Sequence, residues 1–214
     1  MMKLIGMLDS PYVRRTAISL QYMGISFAHE PLSVFNNFAQ FQAINPVVKA
    51  PTLVFDSGEI LMDSTIILHY AESAVPASRR LMPASGEEFR LALQIIGFAL
   101  AACEKAVQSV YEKKLRPIEK QHQPWLDRIS LQLKAACSEL EAKLSSSEFE
   151  LTPAVLTQPF ITSAVVWQFI QSMLPDIIPA TEFPRLQTLS SYAETLPEFL
   201  AFPPVGPGVV ALNT

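Results

Sequence analysis

The stretch 51–74, "PTLVFDSGEILMDSTIILHYAESA", decides the fold. "PTLVF" (51–55) and "EILM" (59–62) read as two short strands, and "DSG" (56–58) between them is a hairpin signal. "STIILHYAESA" (64–74) then reads as a helix with Ser64 at its start, where a hydroxyl caps free backbone N–H groups. Pro51 suits the first position of a strand, where no ladder donor is required. Towards the N-terminus, "KLIGML" (3–8) is a short strand candidate and Pro11 to about Met23 an amphipathic helix. "GISFAHEPL" (24–32) restarts after a glycine stop as a second strand, and "FNNFAQFQAIN" (35–45) reads as a short helix. The order is β-α-β-α-β-β-α, ending near residue 76.

Beyond it, "VPASRRLMPASGEE" (75–88) is rich in Pro, Ser and Gly and reads as a linker. The remainder is helical. Leu91, Ile95, Phe98, Ala102, Ala106 and Val110 recur at helical spacing over 87–115, and Pro117 stops that run. A second long helix from about Pro124 to Leu144 uses Leu126, Ile129, Leu133, Leu140 and Leu144. "SSSEFELTP" (145–153) breaks it, and "FITSAVVWQFIQSML" (160–174) is apolar on every face, the pattern of a buried helix. Prolines at 175, 179, 184, 197, 203 and 204 cut the rest into short helices and an irregular tail. The expected domains are 1–76 (α/β), a linker at 77–86 and an all-helical domain at 87–214.

Composition narrows the function. Half of the 214 residues are apolar and 17% are charged, below the usual share of about 25%, so the chain can bury a sizeable core. The formal charge of −4 argues against binding a phosphate backbone, and no nucleic-acid partner is expected. The longest apolar stretch, "LALQIIGFALAAC" (91–103), is too short to span a bilayer, and the N-terminus lacks the pattern of a secretory signal. A soluble, cytoplasmic protein is expected. Cys103 and Cys137 form no disulfide framework, and with scattered His29, His69 and His122 no metal site is expected.

The strand and helix order matches the thioredoxin-like fold, whose redox members carry Cys-x-x-Cys where the first helix begins. There the positive end of the helix lowers a thiol pKa. Here the segment is Ser10-Pro11-Tyr12-Val13, so both sulfur positions are empty. Alone, Ser10-Pro11 reads as an N-cap followed by a proline at the first helical position. With the fold in view, it is a thiol-activating frame whose sulfur must come from a ligand.

Three segments in order, "SPYVRR" (10–15), "NPVVKAPTL" (45–53) and "DSTIILHY" (63–70), resemble those of cytosolic glutathione S-transferases. The likeness runs along nearly the whole chain and is strongest to bacterial members with a serine and an "SPxVRK"-like first helix; "LRPIEKQHQPWLDR" (115–128) is similar as well. The resemblance implies a thioredoxin-like glutathione-binding domain, an all-helical domain holding the acceptor pocket, and a homodimer. It implies a cis bond at Ala50-Pro51, with Ala50 presenting its backbone to a short peptide as a strand joins a sheet edge. Asp63 and Ser64 at a helix start suit the ammonium and carboxylate of the γ-glutamyl end. Lys49 then meets the glycyl carboxylate.

Ser10 falls where the sulfur would lie. Bringing a thiol from a pKa of ~8.5 to ~6.5 takes about 2.7 kcal/mol of differential stabilisation, and one charge-assisted hydrogen bond supplies ~1.5–3 kcal/mol. Capping and activation are compatible, because a cap accepts through oxygen and leaves the hydroxyl proton to donate. Tyr12, inside the helix, reads as packing, whereas Tyr111 on the fourth helix is a candidate for the acceptor pocket. The expected activity is transfer of glutathione's sulfur to a small hydrophobic electrophile in detoxification. A glutathione-dependent disulfide reductase and a non-catalytic glutathione-binding protein stay open.

Two positions depart from the family pattern. Val48 stands where relatives carry glycine, which puts Lys49's role in question if the loop needs a positive φ. Thr162 is followed at the third position by Val165 rather than by the aspartate of a capping box. On that placement, Val165→Asp is expected to stabilise the protein.

Overall fold

The computed structural model describes residues 1–145 and 156–209. The expected break at 145–153 therefore lies, beyond Ser145, outside the described residues, as does the tail from 210. Two compact units divide the chain, Met1–Leu81 with Leu196–Gly208, and Met82–Thr195 with Val209–Thr214.

The first unit is built on a four-stranded sheet of order β2-β1-β3-β4, with β1 Lys3–Ile5, β2 Ala28–Glu30, β3 Thr52–Val54 and β4 Ile60–Met62. β1 and β2 are parallel, with Leu4 opposite His29; β1 and β3 are antiparallel, with Leu4 opposite Leu53. A parallel pair needs a crossover, and α1 (Pro11–Met23) supplies it. α2 (Phe38–Ile44) leads to β3, and the hairpin β3–β4, with Leu53 opposite Leu61, runs into α3 (Ser64–Ala74). Leu4, Ile5 and Leu53 from the central strands are buried with Val13, Ala17 and Ile18 of α1 and Ile67, Leu68 and Ala71 of α3. The strands are shorter than their apolar runs: β1 stops before Gly6, and β2 omits Gly24 to Phe27 and the run beyond Glu30.

The other unit holds α4 (Gly86–Leu115), α5 (Gln123–Ser145), α6 (Gln158–Met173) and α7 (Pro184–Ala193). α4 packs on α5 and α6, and α6 packs on α7. The face of α4 is turned slightly from the expected one: Ala92, Ile95, Ile96, Ala99, Cys103 and Ala106 are buried, whereas Leu91 and Phe98 are half-buried. The run 91–103 is short, but α4 as a whole has 30 residues and a window of mean hydropathy 1.3, enough by length and composition to cross a membrane. The packing of its buried face on α5 and α6 is also that of a core helix in a bundle.

Two expectations are corrected here. Residues Leu196–Gly208, including α8 (Pro197–Leu200), belong to the first unit and not to a continuous helical domain 87–214. Secondly, α6 begins at Gln158, capped by Thr157 Oγ1, which accepts from the Phe160 N–H at 3.4 Å. Thr162 is therefore interior to the helix and Val165, 1% exposed, is core. The helix starts earlier than predicted because Thr157 and Pro159 form a hydroxyl-and-proline start signal upstream of the apolar run.

Candidate functional site

The site begins at Gly6, with φ 139°, just past β1. A Cβ there would lie 2.6 Å from Val13 Cγ2 and 3.0 Å from Ala50 Cβ, so only glycine lets α1 and the loop before β3 meet at the end of β1. Ser10 follows in extended geometry (φ −75°, ψ 120°) as the N-cap of α1. Its Oγ accepts from the Val13 N–H at 3.5 Å, longer than an ordinary hydrogen bond. The half-buried hydroxyl thus caps weakly, and that bond leaves its proton to donate at the positive end of a thirteen-residue helix.

The loop entering β3 is set by buried polar groups. Asn45, 1% exposed, donates through Nδ2 to Thr52 Oγ1 at 2.8 Å and accepts the Val47 N–H at 3.0 Å. Thr52 Oγ1 in turn donates to the Lys49 carbonyl at 2.7 Å. Within this frame Val48 takes φ 54° and the Ala50–Pro51 peptide is cis. A positive φ of the kind that favours glycine is thus held here by a β-branched residue. Ala50 is half-buried, its side chain against Gly6.

At the start of α3 the expected cap is corrected. Asp63, with φ 73°, is the N-cap, and its Oδ1 accepts from the Thr65 N–H at 2.9 Å. Ser64 is the first helical residue, 2% exposed, and its Oγ accepts from Arg15 Nη1 at 3.2 Å. A carboxylate outcompetes the following hydroxyl because it is charged and accepts at a helix N-terminus. Asp63 Oδ2 also accepts from Lys49 Nζ at 2.9 Å. Partial burial pushes the Asp63 carboxyl up, but the Lys49 and Thr65 hydrogen bonds and the charges of Lys49 and Arg15 together hold it below the usual carboxylate range. Lys49 and Asp63, expected to meet opposite ends of a ligand, here meet one another.

These contacts join the candidate residues. Arg15 ties α1 to Ser64, Lys49 ties the β3 loop to Asp63, and Gly6 brings Ala50 against α1. The result is a hydroxyl at one helix mouth, a carboxylate and a hydroxyl at another, and a half-buried Ala50 beside a cis proline. Tyr111 lies on α4 in the other unit, 40% exposed, and Tyr12 is half-buried on α1. Cys103 and Cys137 are buried in α4 and α5, and burial pushes the Cys137 thiol up to about 12, so it is inert at neutral pH. His29 Nε2 lies 2.8 Å from the Gly6 carbonyl, a structural tie at the site's floor. Arg15, Asn45 and Thr52 were missed by sequence reasoning. Arg15 looks like one more charge in "VRR", and only the Asn-Pro pair at 45–46 hints at a turn.

A thioredoxin-like unit with a hydroxyl in the thiol position, joined to a helical unit, defines the class of fold. The profile of the glutathione S-transferase N-terminal domain matches residues 4–79. The uncharacterized GST-like protein YibF of Escherichia coli is 30% identical over 179 residues, 81% of this chain and 85% of that protein. A glutathione S-transferase of Methylobacterium radiotolerans, in complex with glutathione sulfonate, has a TM-score of 0.88 at 22% identity, covering 100% of this chain and 99% of that one. A glutathione transferase family member from Pseudomonas fluorescens with bound glutathione has a TM-score of 0.79 at 25% identity, covering 96% and 100%. The chain belongs to the glutathione S-transferase family.

Proposed function

We propose that the first unit binds glutathione and that Ser10 lowers the pKa of its thiol for attack on a small hydrophobic electrophile, making the protein a serine-type glutathione transferase of the cytoplasm. The observation that carries this reading is the convergence of Ser10, Ala50 and Asp63–Ser64 through the Gly6, Arg15 and Lys49 contacts. Its support from relatives is that two similar proteins hold glutathione or its sulfonate. Ala50 pairs with the peptide's main chain, and Ser64 with the α3 N-terminus receives the γ-glutamyl carboxylate while Asp63 takes the ammonium. Binding exchanges the Lys49–Asp63 pair for two ligand contacts, with Lys49 turning to the glycyl carboxylate. That exchange trades one exposed ion pair, worth little by itself, for two charge-assisted contacts. Tyr111 on α4 is the residue of the helical unit assigned to the acceptor, and the working form is a homodimer.

The test is an ultraviolet titration of bound glutathione, since the thiolate absorbs and the thiol does not. In the wild type the apparent pKa should fall well below the free value of ~8.5, and in Ser10→Ala it should return towards it with a parallel loss of conjugation rate. Tight binding with an ordinary thiol pKa would leave Ser10 as a cap alone.

A further inference from the structure

Three pieces of the first unit meet at the end of α1 away from Ser10. Gln21 and Tyr22 from its last turn, Ser78 and Arg79 from the short turn of helix Ala77–Arg79, and Pro197 and Glu198 from the start of α8 line a cavity of about 470 Å³. That volume is within the range of small-molecule sites. Along the helix axis Tyr22 stands about 18 Å from Ser10, so the cleft is separate from the candidate glutathione site.

Each piece is fixed by its own backbone. Gly24 closes α1 in the left-handed region, at φ 76°, and its N–H returns to the Gln21 and Leu20 carbonyls. The Arg79 guanidinium lies across that turn: a Cβ on Gly24 would stand 3.6 Å from its Nη1 and 3.9 Å from its Cζ. The carbonyl end of a helix favours a cation there. Glu198 precedes Phe199, which is fully buried and whose carbonyl accepts from Arg14 Nη2 at 3.5 Å; Arg14 Nε donates to the Phe202 carbonyl at 2.8 Å.

Two opposite charges thus line one cleft without meeting. Glu198 is half-buried, yet among the described residues neither its carboxylate nor the Arg79 guanidinium has a hydrogen-bond or ion-pair partner. A half-buried charge is costly unless a partner meets it. We propose that the cleft binds a small zwitterion, a free α-amino acid with a polar side chain, its carboxylate on Arg79 and its ammonium on Glu198. A guanidinium fork matches a carboxylate through two parallel N–H donors, and a carboxylate accepts from an ammonium. The amide of Gln21 and the hydroxyls of Tyr22 and Ser78 are neutral groups that hydrogen-bond a polar side chain. This site stands independently of the glutathione-binding reading.

The probe is L-glutamine. Titrated in ¹H–¹⁵N spectra, it should shift the amides of Tyr22, Ser78, Arg79 and Glu198 with one Kd in the millimolar range expected of about ten non-hydrogen atoms. N-acetylglutamine lacks the ammonium and glutaminamide lacks the carboxylate; each should bind about fivefold more weakly, the upper end for a pair at an exposed position. Arg79→Gln should erase the preference for glutamine over glutaminamide and keep that over N-acetylglutamine, and Glu198→Gln should do the reverse. Equal binding of all three compounds, no shift at these amides at tens of millimolar glutamine, or shifts confined to Asp63 and Ser64 would overturn the inference.

Discussion

Val48 sits in the left-handed region at φ 54° while half-buried and β-branched, a combination that costs an L-residue about 1–2 kcal/mol. The turn is over-determined by Asn45, which takes the Val48 N–H on its carbonyl at 2.9 Å and holds the loop with its side chain. Replacing Val48 with glycine removes the strain but adds unfolded-state entropy of about 0.5–1 kcal/mol, so a net gain of roughly 0.5–1 kcal/mol is expected. Thermal melting should show Val48→Gly raising Tm by roughly 1–4 °C; a lower Tm would mean that the turn is relaxed as it stands. At this scale the sequence was readable wherever a residue acts on its neighbours. Ser10 and Pro11 announce a helix start by themselves. Arg15 was opaque because its acceptor, Ser64, is 49 positions away, and Lys49 because its partner Asp63 is found only once β3 and β4 have folded back.

Elements in the first unit were legible to within a residue where local signals bracket them: α1 opens at Ser10-Pro11 and closes at Gly24, and α3 ends before Val75. α6 was not, because an all-round apolar helix has no periodicity to date its start. Placing that start at Thr157 reverses one expectation. Val165 is 1% exposed inside the bundle, so Val165→Asp buries a carboxylate instead of completing a cap, at a cost of roughly 3 kcal/mol or more. Urea denaturation should show a clearly lower midpoint; an unchanged or higher one would restore the capping-box placement. α7 illustrates why caps at other helices escape sequence reading. Its first N–H groups, Arg185 and Leu186, donate at 2.7 and 2.9 Å to the two oxygens of Glu141, which belongs to α5. No motif within α7 encodes that partner.

Both units of the molecule are discontinuous in sequence: the chain leaves the first at Leu81, returns to it at Leu196 and leaves it again after Gly208. The sequence suggested an α/β part followed by a helical one because composition changes sharply near residue 76. It did not reveal the return, since a proline-rich run reads as irregular when its partners, Asp9 and Arg14, stand 199 and 188 positions away. Phe199 measures how much that return matters: it is fully buried, with the Arg14 guanidinium 5.5 Å above its ring. Phe199→Ala should cost about 3–5 kcal/mol and lower the hydrogen-exchange protection of α1 amides more than of those in α5. Equal protection in α1 would separate the return segment from the first unit.

The same feature has a meaning in time. On a ribosome adding 5–20 residues per second, Arg14 emerges roughly ten to forty seconds before the Phe202 carbonyl it will bind exists. Through that interval the guanidinium stays hydrated and α1 lacks the return segment that packs on it, while α4, α5, α6 and α7 are being made. The first unit is therefore completed only after the long helices of the other have been made.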